Sequence, residues 1–222
     1  MIFDDRSHAG RVLAQSLGRY AGRDDVAVLG LTRGGVPVAK EVATRLGAPL
    51  DALVVRKLGV PGHEELAFGA IASGGARVLN DEVVRHWLLV GGDLRSLDQV
   101  EARERAELAA RELRYRGDRP PLELTGKIVI IVDDGLATGA TMRAATAAIQ
   151  QRSPARIIVA APVGSSQTCD ALEQIADQVV CPHRLDDLGS VGSWYGDFSA
   201  TSDDEVIALL KADASDHPVA PG

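Results

Sequence analysis

An α/β fold, an open and mainly parallel sheet flanked by helices, is predicted by three observations. Short apolar runs, β-branched and without polar alternation, recur at Val26–Leu31, 50–55, Ile128–Val132, 156–163 and 178–181, as strands covered on both faces require. Helix-like stretches separate them, and such alternation implies parallel pairing with right-handed crossovers. Finally, the segments that combine glycine with charge, 32–35, 56–75 and 133–141, each follow a strand, so one sheet edge should gather them into a pocket.

Residues 6–20 place Ala9, Val12, Leu13, Ser16 and Leu17 on one helical stripe ended by Gly22, a helix capping the core. After Val26–Leu31 come Thr32-Arg33-Gly34-Gly35 and a helix through Leu46, with Pro37 near its start, where proline is tolerated. The run 50–55 ends in Arg56-Lys57, and residues 58–75, with Pro61, His63, Glu64 and Glu65, read as a glycine-rich loop. A short strand at 77–79 and a helix at 83–90 precede a long helix at 93–115, whose alternating Glu and Arg suggest a solvated face laced with ion pairs. Arg119-Pro120-Pro121 closes this helical insertion, 75–121. A strand at 156–163, a helix at 166–175 and a strand at 178–181 lead to a small hood, 181–200, and a last helix, 203–211. One domain, 1–211, is expected, with 212–222 a flexible tail.

Aromatics are only 4% of the 222 residues, so the core must be aliphatic. Lys and Arg number 24 against 31 Asp and Glu, a formal charge of −7, which disfavours nucleic acid and anionic membranes as partners. Arg103, Arg105, Arg111, Arg114, Arg116 and Arg119 could form a basic stripe, but glutamates interleave it. No apolar run approaches a bilayer span, and the amino terminus lacks a charged lead into an apolar stretch; a soluble cytoplasmic protein is expected. Cys169 and Cys181 read as free thiols, and Cys181 with His183 makes only half a zinc site.

Chemistry concentrates in Ile128 to Met142. Asp133 and Asp134 leave the strand at its carboxyl end; ionised carboxylates accept hydrogen bonds only, so vicinal hydroxyls suit them, directly or through a magnesium shell. From Gly135 to Thr141 the residues are small, letting amides and the hydroxyls of Thr138 and Thr141 close on an anion at the positive end of the following helix. A diol grip beside a phosphate cradle describes a ribose 5-phosphate. Neither Gly-x-x-x-x-Gly-Lys-Ser/Thr nor a strand-borne Gly-x-Gly-x-x-Gly occurs.

An apolar strand, Asp-Asp, then a loop ending Thr-Gly-x-Thr resembles the signature of the type I phosphoribosyltransferases, and the resemblance extends over about 26–181. It implies a type I phosphoribosyltransferase-like sheet with a hood. It implies that Asp133 and Asp134, the candidate catalytic pair and the magnesium ligands directly or through water, hold the ribose hydroxyls of phosphoribosyl pyrophosphate. Gly135, Ala137, Thr138, Gly139, Ala140 and Thr141 become the 5-phosphate loop. Thr32, Arg33, Gly34 and Gly35 become a pyrophosphate loop, in which the family often has a cis peptide not preceding proline. Arg56 or Lys57 matches a basic position near the pyrophosphate, and strand alternation lets only one reach it.

The implied reaction displaces pyrophosphate from the anomeric carbon by a nitrogen nucleophile, with Mg2+ present and water excluded by a mobile lid. Residues 58–75 are the candidate lid, Glu64 or Glu65 a candidate proton acceptor or simply surface. Ala137 stands where 6-oxopurine enzymes usually carry aspartate, while adenine- and uracil-type members have alanine, so the acceptor stays open. Trp194 and Tyr195 either stack a flat base or anchor the carboxyl-terminal segment. The insertion serves as lid, homo-oligomer contact or both. A regulator sensing phosphoribosyl pyrophosphate or nucleotides on this fold, and a hydrolase of phosphorylated ribose compounds, are the competing functions.

Overall fold

The computed structural model describes residues 2–216, with side chains through residue 213. The chain opens with α1 (Arg6–Ser16), β1 (Val26–Leu31), α2 (Gly35–Leu46) and β2 (Leu50–Leu53). Next come β3 (Val55–Val60), β4 (His63–Ala72), β5 (Ala76–Leu79), α3 (Asp81–Leu89) and α4 (Leu94–Arg116). Then follow β6 (Ile128–Val132), α5 (Ala140–Gln150), β7 (Arg156–Ala160), β8 (Val163–Ser165), α6 (Ser166–Glu173), β9 (Gln178–Val180), β10 (His183–Leu185) and α7 (Asp203–Asp216).

The main sheet runs β2-β1-β6-β7-β9, every pair parallel. Its register aligns Val28 with Ile130 and Ile130 with Ile158, and these turn to one face together with α2 and α7. Leu29, Ile131 and Val159 turn to the other, under α5 and α6. Burial on both faces is why β1 and β6 carry no polar alternation. Because β1 and β6 are neighbours, the loops at their carboxyl ends leave side by side.

The expected loop 58–75 is instead structured. β3, β4 and β5 form an antiparallel sheet, with Pro61 and Gly62 at the turn and Gly62 in the positive-φ conformation glycine favours. Leu58 and Phe68 are buried with Leu97, Val100 and Leu108 of α4, so this hairpin is held by the insertion. Two expected strands also divide between sheets. Residues 50–55 split at Val54, whose amide donates to Ser73 Oγ at 3.0 Å. Residues 156–163 split at Pro162, which has no amide to continue a ladder; Val163 instead begins β8, paired with β10 in the hood.

The expected tail from Ala212 is also corrected, since α7 continues to Asp216; 217–222 lie outside the described residues. Asp213, 2% exposed, accepts from the Leu50 amide at 2.9 Å and pairs with Lys40 at 3.2 Å. It ties the last helix to the start of β2. Asp213→Ala strands that buried amide, so denaturant unfolding should show a loss of about 1–3 kcal/mol.

Candidate active site

β6 is buried along its length and ends in Asp133 and Asp134. The Asp133 amide donates to Ala160 O at 3.1 Å, and the Asp134 amide to Asp133 Oδ1 at 2.9 Å. The β1 loop lies directly against them. A Cβ on Gly35 would stand 2.5 Å from Val132 O and 2.9 Å from Asp133 Cα, and one on Gly34 2.1 Å from Asp134 Oδ2. Gly34 has an ordinary φ of −62°, so contact, not backbone conformation, demands glycine there. The Thr32–Arg33 peptide is cis. Arg33 Nη1 lies 3.6 Å from Asp203 Oδ1, a carboxylate that also accepts from Tyr115 Oη at 2.6 Å.

Arg6, which the sequence offered no reason to choose, reaches the same acids. Its Nε donates to Asp134 Oδ2 at 2.8 Å, with side-chain exposures of 12% and 16%. Nη1 donates to Ser199 O at 2.7 Å, and the guanidinium lies 4.0 Å from the Phe198 ring centroid. Tyr195 Oη donates to the Asp134 carbonyl oxygen at 2.6 Å. The amino-terminal segment and the hood thus meet behind the acidic pair: Phe3 bridges Tyr195, and their rings lie 5.3 Å apart.

On the other side, Leu136 is buried while Ala137 and Thr138 are exposed. Gly139 takes a left-handed conformation as the N-cap of α5. The first amides of that helix have no partner within it, so they and the helix dipole favour an anion. Thr168 of α6 supports this loop, its hydroxyl donating to Ala137 O.

Other expected members fall elsewhere. Arg56 and Lys57 lie within β3, not past a parallel strand; Arg56 Nε is bound to Glu104 Oε2 at 2.8 Å. Lys57 instead lines a groove of about 510 Å³, with Glu65, Ala140 and Arg143 among its walls. Glu64 and Glu65 are exposed at the start of β4, on the hairpin. Tyr195 is 4% exposed and has no free face for stacking a base; of the two readings for the aromatic run, its geometry is that of an anchor. Trp194 is half-buried, its indole N–H donating to Leu188 O at 3.0 Å. Along α4, Arg103, Arg105, Arg114 and Arg116 sit in ion pairs with Glu104, Glu101, Asp203 and Asp51, which neutralises the candidate basic stripe.

Burial, followed by the neighbouring Asp134 charge, pushes Asp133 well above the usual carboxylate range. Burial also raises Asp134, against the opposing pull of Arg6. Two crowded carboxylates disfavouring their own ionisation are receptive to hydroxyl donors or a divalent cation. Among the described residues no group of three His, Cys, Asp or Glu could hold a metal. Asp133 and Asp134 are the residues that would hold a magnesium ion, which binds through one or two carboxylates with water and substrate oxygens completing its shell.

Residues 4–193 match the family described as phosphoribosyl transferase domain. The chain belongs to that family. Two Mycobacterium tuberculosis proteins (strains CDC 1551 and H37Rv), each named "Putative phosphoribosyl transferase", are 50% identical to it over 209 residues, 94% of this chain. The chain spans 46% of each, about half their length. The crystal structure of TT1426 from Thermus thermophilus matches with a TM-score of 0.81 at 43% identity, covering 95% of this chain and 98% of that one. AQ2163 from Aquifex aeolicus shares the fold, with a TM-score of 0.50 at 15% identity over 81% of this chain and 74% of its own. Within this phosphoribosyl transferase domain, the matched segment contains both loops and all of the main sheet. No helix among the described residues is long and apolar enough to cross a membrane.

Gly34→Ala forces a methyl into Asp134 Oδ2. Calorimetric titration with phosphoribosyl pyrophosphate should show affinity reduced about tenfold or more, the cost of a misplaced contact, while the melting temperature moves little.

Titration of the acids gives a second expectation. Both pKa values are raised on folding, so between the ordinary carboxylate range and the raised values the folded chain holds protons that the unfolded chain has lost. Stability therefore falls as pH rises through that window. Asp133→Asn removes the repulsion, and melts over a pH series should show a flatter profile and a gain of about 1 kcal/mol at neutral pH.

Proposed function

We propose that the protein is a magnesium-dependent phosphoribosyltransferase that moves ribose 5-phosphate from phosphoribosyl pyrophosphate to a nitrogenous acceptor, most simply a nucleobase, releasing pyrophosphate. The observation that carries this reading is the contact between the Gly34 backbone and Asp134, which sets an acidic pair between two anion-receptive loops. Asp133 and Asp134 accept from the ribose hydroxyls. Gly135 to Thr141 hold the 5-phosphate at the start of α5, and Thr32 to Gly35 face the pyrophosphate, with Lys57 the better placed of the two basic candidates.

Magnesium, when bound, neutralises charge on the departing pyrophosphate. The chain's own part is electrostatic. As the bond from the anomeric carbon to pyrophosphate lengthens, positive charge develops on the ribose ring, and carboxylates held nearby favour it. No side chain need form a covalent bond with the sugar. Arg6 and Tyr195 hold Asp134 through one carboxylate oxygen and the main-chain carbonyl, leaving acceptor atoms for the sugar.

The test is incubation with phosphoribosyl pyrophosphate, Mg2+ and a panel of bases, following pyrophosphate and nucleotide together. Equal release of both with at least one acceptor is expected, and Asp134→Asn should slow it about a hundredfold. Donor binding without turnover on any base would reassign the site to sensing.

A further inference from the structure

Two sulfur atoms stand behind the phosphate-side loop and have no part in the reading above. Cys169 on α6 is fully buried, and Cys181, just past β9, is half-buried. Both meet over one glycine: a Cβ on Gly164 would lie 3.2 Å from each Sγ. Cys181 Sγ donates to His183 O at 3.5 Å, and the closeness of the two thiols lowers the pKa of Cys169 and raises that of Cys181.

That glycine is also where the loop is stitched to the hood. The same Cβ would lie 2.9 Å from Leu136 Cβ. The Leu136 amide donates to Val163 O at 3.0 Å, and the Ser165 amide to Leu136 O at 2.9 Å. Thr168, next to Cys169 in α6, donates its hydroxyl to Ala137 O, and its methyl carbon would be 2.6 Å from a Cβ on Gly139. Cys181 leads into β10, which pairs with β8. Motion of either sulfur is therefore passed to the loop through Gly164 or Thr168.

We propose that Cys169 and Cys181 are a reversible disulfide site, closed by a hydroperoxide, and that closure displaces the phosphate-side loop and weakens donor binding. Peroxide reaches Cys181, the more accessible of the two, and the raised pKa of that thiol makes this first step slow. Its sulfur takes one oxygen of hydrogen peroxide, the O–O bond breaks, one water leaves, and a sulfenic acid remains. Cys169 sulfur then attacks Cys181 sulfur; the S–O bond breaks as the S–S bond forms, and the departing hydroxide takes the Cys169 proton to become a second water. The thiols lose two electrons and two protons, and the peroxide gains them. A disulfide brings its sulfurs to about 2.05 Å, closer than unbonded thiols approach. α6 must shift with Cys169, and Thr168 moves off the Ala137 carbonyl. The effect on donor binding rests on the proposed function, whereas formation of the bond does not.

The protein is treated with hydrogen peroxide, then examined by intact mass, cysteine alkylation, hydrogen exchange and titration with phosphoribosyl pyrophosphate and Mg2+. Expected are a loss of two hydrogen atoms, protection of both cysteines from alkylation, faster exchange over residues 135–141, and donor affinity lower by about fivefold or more. Dithiothreitol should reverse all four. The double variant Cys169→Ser, Cys181→Ser should bind donor as the reduced protein does and ignore peroxide. Continued alkylation of both thiols, oxidation of Cys181 to a sulfinic acid without the bond, or a disulfide that leaves exchange unchanged would each overturn the proposal. A reduced protein that binds no donor defeats the proposed function instead, while mass, alkylation and exchange still decide the disulfide and the loop displacement.

Discussion

Everything at the sheet edge depends on how closely the backbone after β1 approaches the acids after β6. Val132 O, Asp133 Cα and Asp134 Oδ2 occupy space that side chains at residues 34 and 35 would need. The strand order makes the two loops neighbours, and glycine lets them touch. The same contact withdraws water from the carboxylates, so their raised pKa values and the placing of a main-chain loop beside them have one origin. A larger residue at 34 would displace the Asp134 carboxylate, and one at 35 would press on the backbone of Val132 and Asp133 and part the loops.

Crowded acids need restraint, and the chain supplies it from two segments distant in sequence. Arg6 enters from α1 and Tyr195 from the hood, one on the carboxylate and one on the carbonyl of the same aspartate. Burying a guanidinium with a carboxylate is costly unless its other donors find partners; here the Ser199 carbonyl accepts from one and the Phe198 ring faces the cation. Three of the few aromatics form a scaffold there, Phe3 and Phe198 each packing against Tyr195.

The main sheet was legible because strands buried on both faces must be continuously apolar, and Val26–Leu31 and Ile128–Val132 are. The family followed from Asp133-Asp134 and the small-residue loop for a similar reason, since few other arrangements call for that order of residues. The hairpin of β3 and β4 was not legible. Gly59 and Gly69 interrupt it because a Cβ there would strike Glu64 and Val78 backbone atoms, and register shifts around Gly59 break the two-residue period. Arg6 left no local signal either, since its partner lies 128 residues away. Polar residues around Asp213 imitated a tail because the group it satisfies, the Leu50 amide, belongs to another segment.

On the proposed reading residues 135–141 grip a phosphate and then release it, and small side chains alone cannot fix such a loop. Residues 135–141 bury only Leu136, so their position is set by what lies behind them. Gly164 accepts the Leu136 side chain at close range, and Thr168 holds Ala137 and crowds Gly139. The amides facing outward are thereby oriented before any anion arrives, which spares binding the entropy of ordering them. Rigidity also makes the loop sensitive to displacement of β8 or α6. The two thiols sit at the junction of those elements, against Gly164, where close packing leaves little slack to absorb a movement.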